Sequence, residues 1–374
     1  MQQLVSIYKS PILICQNLKT IITMQKRFTQ LLVVLFIMMS QQVFAQDMQF
    51  SQFYASPMNL NPAMTGVFEG DFRAVVNYRE QYNSILDIHP FRTISAGFEK
   101  RFRIVNSDYL SVGVTAMQDQ SGVAGYGQYR GSLGTSYMKQ VGGSKYSTQS
   151  QYLIAGAQVG FGQNRIDPTR LWFSAQFDQP TVSINTTIDN QEANLTPSTD
   201  IFLDFNAGLM WYARLDENKS VYVGGALNHI APAQITLYEQ GPGETLYMRL
   251  TGHAGAEIPL NRELSILPAI LVMSQGPSFQ TNFGLNFRYS NHDWREVAIR
   301  AGLWNRISKT IDGGHTDALI FSTILELERI NLGLSYDVNT SSLKTASQSR
   351  GSIEVSLIYV QPSKTKYKVN CPKF

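Results

Sequence analysis

Between Phe279 and Tyr289 the chain alternates without a break, with Phe279, Thr281, Phe283, Leu285, Phe287 and Tyr289 on one face and Gln280, Asn282, Gly284, Asn286 and Arg288 on the other. A period of two predicts a strand with one apolar and one polar face. In a soluble sandwich the apolar face packs on a second sheet; in an outer-membrane barrel it meets lipid and the polar face lines the interior. The pattern recurs. Ile201, Leu203, Phe205, Ala207, Leu209 and Trp211 alternate with Asp204, Asn206 and Gly208, and Leu110, Val112, Val114 and Ala116 alternate with Ser111, Gly113 and Thr115. About fourteen such segments run from Asp71–Arg79 to Gly351–Val360, an even number as single-chain bacterial barrels require.

The connections between segments alternate in length. Glu80–Phe91, Asn164–Ser198, Ala231–Leu246, Arg306–Gly314 and Val338–Arg350 are long, while Phe102–Asp108, Arg214–Lys219, Leu260–Arg262 and Ser290–Asp293 are short. Long loops outside and short turns on the periplasmic side are the barrel rule, to which Lys139–Gln149 and Ser274–Ser278 are exceptions. Tyr or Trp near strand ends, as at Tyr78, Tyr109, Tyr137, Tyr212, Trp304 and Tyr336, reads as interfacial girdles.

Composition agrees. Charged residues are 16% of the chain, below the roughly 25% of soluble proteins, while Gly (28), Tyr (18) and Phe (20) are abundant. The mean hydropathy of −0.14 is far from that of a helical membrane protein. Residues 1–45 hold Lys9, Lys19, Lys26 and Arg27 and no acidic residue, so without them the net charge of +3 becomes −1. A nearly neutral mature chain offers nothing to nucleic acid. Met24-Gln-Lys-Arg, the apolar run Leu31–Met39 and Val43-Phe-Ala45 form a secretory signal peptide cleaved between Ala45 and Gln46, with residues 1–23 an upstream start extension. Of the two cysteines, Cys15 precedes that cleavage and Cys371 follows the last strand, so no internal disulfide is expected.

Residues 46–70 read as an extended periplasmic entry segment, because the prolines and Asn/Ser residues of Ser56–Gly66 resist helix and regular strand. Its aromatics Phe50, Phe53 and Tyr54 either pack at the periplasmic rim or in the lumen, or present a docking surface to a partner. Phe50-Ser-Gln-Phe-Tyr54, Ser56-Pro-Met-Asn-Leu-Asn-Pro62-Ala, Gly66 and Asn77-Tyr-Arg-Glu-Gln81 resemble the opening signature of the PorP/SprF family of outer-membrane proteins in the type IX secretion system of Bacteroidetes. Gly333-Leu-Ser-Tyr-Asp337, Arg350–Tyr359 and the terminal Asn370–Phe374 are similar to that family's ending; Ser56 departs from it, where Asn would precede Pro.

The resemblance implies an outer-membrane barrel over residues 71–360, with a periplasmic tail at 361–374. It also implies a role in type IX secretion or gliding motility, with periplasmic ring lipoproteins or a secreted adhesin as partners beside membrane lipid. The partner-binding candidates are then Phe50, Ser51, Gln52, Phe53, Tyr54, Pro57, Asn61, Pro62 and Gly66. A porin-like channel for small solutes and a soluble secreted β-protein are the alternatives.

No catalytic arrangement, cofactor or small-molecule substrate is expected. Asp87-Ile-His89 and His315-Thr-Asp317 each pair an acid with a histidine, but no serine or cysteine nucleophile motif accompanies them, and His229, His253 and His292 lack zinc spacing. Gly125-Tyr-Gly-Gln-Tyr-Arg-Gly131 has the wrong spacing for a nucleotide loop. Arg73, Arg79, Arg288 and Arg300, with Asp204, would face inward and either pair with acidic residues or make a selective pore.

Overall fold

In this computed structural model the described residues are 47–363, apart from 87–88, 105–106, 144–148, 186, 191, 193, 217, 240–242, 292–296 and 311–312. The expected signal peptide and its Ala45–Gln46 cleavage site, Asp87, His292, both cysteines and the tail from Lys364 lie outside them. The strands follow one another as β1 (Phe72–Gln81), β2 (Phe91–Arg103), β3 (Tyr109–Ser121), β4 (Tyr126–Gly143) and β5 (Ser150–Arg165). The two-residue strands β6 (Phe177–Asp178) and β7 (Ser183–Ile184) interrupt, and β8 (Phe202–Asp216), β9 (Lys219–Asn228), β10 (Arg249–Pro259) and β11 (Leu264–Gln275) continue. The series ends with β12 (Ser278–Tyr289), β13 (Ala298–Thr310), β14 (Gly313–Glu326), β15 (Ile330–Asn339) and β16 (Arg350–Gln361).

Apart from the β6–β7 hairpin these strands form one closed antiparallel barrel of 14 strands, in which β5 pairs with β8 across the long connection and β1 with β16. Closure runs from Phe72 opposite Gln361 to Gln81 opposite Ser352. No edge is left, which is how a sheet survives in hydrocarbon, where an unpaired backbone amide finds no water. Among the described residues no helix is long and apolar enough to cross a membrane.

The alternation seen in the sequence sorts to the two faces of the wall. Phe283 and Phe287 are 42% and 49% exposed, while Asn282 and Asn286 between them are 1% and 2% exposed. Leu133, Phe161, Leu203 and Leu209 likewise point outward. Large apolar side chains outside and amides inside invert the order of a water-soluble protein, as lipid outside the cylinder requires. The strands of 10 to 18 residues reach or exceed the ~9–11 that a bilayer crossing needs.

Two expectations are corrected. Tyr109, Tyr212 and Trp304 do not join a girdle but are buried in the lumen, among Met138, Tyr152, Ile154, Met210 and Leu271. Part of the inner wall is therefore apolar, because something apolar fills the barrel. β13 and β14 also extend to Thr310 and from Gly313, which pair with each other, so most of the expected Arg306–Gly314 loop is strand.

Candidate functional site

What fills the barrel is the segment ahead of β1. Three short helical turns, Phe53–Ala55, Pro57–Leu60 and Pro62–Met64, replace the expected extended chain. The prolines that argued against regular helix sit at first-turn positions, where a missing N–H costs nothing. Asn61 caps the third turn by accepting a hydrogen bond from Ala63 N at 2.8 Å. From Phe50 to Phe68 nearly every residue is buried.

The segment threads the lumen from one end to the other. Asp47 N donates to Gln275 Oε1 (3.0 Å) at the end of β11, and Asp47 Oδ2 accepts from Arg249 Nη1 (2.8 Å) at the start of β10. These contacts lie at the end of the barrel that carries the long connections. At the opposite end, Asp71 N donates to Gln361 O (2.8 Å) and Arg101 N to Asp71 O (3.0 Å), beside the short turns. The plug thus enters at one mouth and joins β1 at the other.

Each candidate residue from the sequence faces the wall. Phe53 packs edge-on against Trp304 (centroids 5.4 Å apart), and Tyr54 lies 6.0 Å from the same ring. Ser51 N and Gln52 N donate to the two carboxylate oxygens of Glu354 at 2.7 and 2.9 Å, and Ser51 Oγ donates to Asp337 Oδ2 at 2.8 Å. The Gln52 amide donates to Glu354 O (3.2 Å) and accepts from Ser356 Oγ (2.7 Å). Phe50, Pro57 and Pro62 are buried with them.

Deeper in, the Asn61 amide donates to Leu209 O and Gly225 O (3.2 Å each) and lies 2.9 Å from His253 Nε2. Gly66, at φ +75°, donates its N–H to Glu99 Oε2 at 2.5 Å. The wall accommodates this half by lacking side chains: a Cβ at Gly156 would overlap the Pro62–Ala63 backbone, and one at Gly208 would overlap the Asn61 carboxamide. To meet a partner, any of these residues would first have to leave the lumen.

The four inward arginines named from the sequence are each paired with an acidic residue. Arg73 bonds Glu99 (2.6 Å), Arg79 bonds Asp337 (3.3 Å), Arg288 bonds Glu326 (2.9 Å), and Arg300 bonds the same Glu326. The pairing role open at the sequence level is the one these four carry. Sequence reasoning missed Arg306, which reaches both Asp317 (2.7 Å) and Asp337 (2.6 Å). That contact also engages Asp317, the acid of the His315–Asp317 pair.

Sequence reasoning also missed the cluster at the long-connection mouth. His229, at φ +57° just past β9, places Nε2 2.6 Å from Asp47 Oδ2 and Nδ1 2.9 Å from Asp204 Oδ1. Burial opposes the charged imidazolium, but the Asp47 and Asp204 carboxylates outweigh it and lift the His229 pKa to about 9. Burial likewise opposes the Asp47 carboxylate, yet Arg249 and His229 hold it well below the usual range. No sequence signal could have found this cluster, since residues 47, 204, 229 and 249 meet only on closure. Among the described residues no group of His, Cys, Asp or Glu could hold a metal ion.

Two clefts flank the outer part of the plug. One, of about 580 Å³, lies between Asp47 and Asn59 and the polar wall at Arg130, Gln158 and Asp204; the other, of about 340 Å³, lies beside Phe50, Leu60 and Leu271. Neither extends to residues 61–68.

Residues 42–359 match the family described as type IX secretion system membrane protein PorP/SprF. The chain belongs to that family. As a PorP/SprF protein it is a secretion-system membrane barrel and falls in no enzyme family. No curated protein matches it. Among solved structures, the CymD monoaromatic hydrocarbon channel is similar at 11% identity and a TM-score of 0.47, covering 83% of this chain and 93% of that one. The toluene transporter TbuX of Ralstonia pickettii has 10% identity and a TM-score of 0.45, covering 82% and 92%. A Pseudomonas aeruginosa FadL homologue has 11% identity and a TM-score of 0.45, covering 80% and 92%. At such values the likeness carries no argument about what this PorP/SprF chain does.

Proposed function

We propose that this PorP/SprF protein is a sealed outer-membrane anchor of type IX secretion rather than a conduit. The observation that carries this reading is the plug: residues 47–70 occupy the lumen from mouth to mouth and are bonded to the wall along their length. A lumen occupied in this way along its length opposes passage of a solute, and still more of a folded protein. Function then falls to the two ends. With long connections outside, as in other barrels, the 166–201 and 229–248 connections face the cell surface, and the short turns face the periplasm with residues 361–374. Periplasmic ring lipoproteins would dock on the turns, and a secreted adhesin, in a gliding organism, on the outer connections.

Planar-bilayer recording on the purified barrel, with crosslinking in intact cells, tests this. A closed lumen together with crosslinks from either end to other secretion components is the expected result. Steady, ion-selective conductance from the intact chain would instead establish the porin-like reading.

A further inference from the structure

The least local pairing in the molecule is the one that closes it: β1 meets β16 with Arg79 opposite Glu354, residues 275 positions apart. Bringing such distant segments together costs more chain entropy than any neighbouring hairpin. Side-chain chemistry across this seam does not close it by itself. Arg79 Nη1 and Glu354 Oε2 stand 3.9 Å apart, an ion pair beyond hydrogen-bond reach; Arg79 Nη2 reaches Asp337 on β15 (3.3 Å), and both groups also bond the plug. Glu354 accepts from Ser51 N and Gln52 N, while Arg79 Nη1 donates to Gln49 O (2.7 Å) and Ser51 Oγ (3.2 Å).

The bridging continues on both sides of the seam. On β1, Asn77 Nδ2 donates to Ala55 O at 2.9 Å. On β16 and β15, Ser356 Oγ donates to Gln52 Oε1, and Gln52 Nε2 donates to Ser335 Oγ at 3.3 Å. Glu354 is fully buried, so without the two plug amides its carboxylate would lack the donors that make burial of a charge tolerable.

We infer that residues 49–55 are the clasp of the barrel: by satisfying Glu354 and Arg79 together they hold the first and last strands in register, so the wall closes around its own N-terminal segment. The plug is thereby a part of assembly, independent of whether the finished lumen conducts.

The test is to relieve the seam of its need for a clasp. In full-length protein with Cys15 and Cys371 replaced by serine, deletion of residues 47–68 removes the compact, SDS-resistant band of the folded barrel, and the milder pair Gln52→Ala with Glu354→Gln lowers its melting temperature. Adding Val76→Cys and Leu357→Cys, which face each other across β1 and β16 on the lipid side, restores the band and the temperature under oxidising conditions. A control pair at Ile270→Cys and Phe283→Cys, facing each other across β11 and β12, does not. The inference is overturned if the deletion folds like the parent, if the control pair rescues as well as the seam pair, or if neither pair rescues either variant.

Discussion

The two halves of the plug differ in what is added to their hydrogen bonds. Residues 49–55 are held by directional bonds to buried charges, Glu354, Asp337 and Arg79, on the strands that close the barrel. Residues 61–67 add to the bonds of the Asn61 amide and the Gly66 N–H a close fit of shape, the Pro62–Ala63 backbone lying where Gly156 leaves room in β5 and the Asn61 carboxamide where Gly208 leaves room in β8. The two clefts described flank the first half, and neither reaches the second. A bonded contact tolerates looseness beside it and fails when a donor or acceptor is lost, whereas a packed contact ignores charge and fails when volume is added.

Adding volume to the packed half has the largest expected effect. Gly156→Val places methyl groups in the Pro62–Ala63 backbone and destabilises the barrel by about 3 kcal/mol or more in thermal unfolding from detergent. A result near zero would show that residues 61–67 can shift, and the distinction between the halves would disappear. Removing charge from the bonded half comes next. Glu354→Gln keeps the volume but presents an NH₂ group to one of two plug amides, costing about 2 kcal/mol.

A smaller effect is expected at the mouth, where it appears as pH dependence. The His229 pKa is raised from 6.5 to about 9, so its stabilising contribution is complete below pH 6.5 and lost as pH rises through 9. The Asp47 pKa is lowered, so its contribution is complete above the ordinary carboxylate range and lost as pH falls below it. Melting temperature should therefore be highest between about pH 4 and 6.5, by this pair alone. His229→Gln should flatten the alkaline side without changing the effect of Gly156→Val. Least of all, Met48→Ala, beside both clefts, should change stability by no more than about 0.5 kcal/mol. A loss comparable with that of Gly156→Val would mean the clefts are tightly packed after all.

The barrel was legible because its signal is local and repeated. Phe283 against Asn282, or Leu203 against Asp204, tells inside from outside within two residues, and most strand ends fell within a few residues of their places; β4 and β13 run furthest beyond theirs, to Gly143 and Thr310 where Lys139–Gln149 and Arg306–Gly314 were read as connections. The plug was legible only in part. Phe50, Phe53 and Tyr54 announced that they needed burial, but lumen, rim and partner offer aromatic rings the same kind of contact, so composition could not choose among them.

Alternation determined the strands, their approximate number and the apolar face of each, because it depends on neighbours two residues apart, and connection lengths with composition favoured lipid over a second sheet on that face. Only the tertiary structure decided what the lumen contains, why Tyr109, Tyr212 and Trp304 turn inward, and how Asp47, His229, Asp204 and Arg249 meet. Those outcomes depend on residues up to three hundred positions apart becoming neighbours, and that adjacency exists only once β1 has met β16 around the plug.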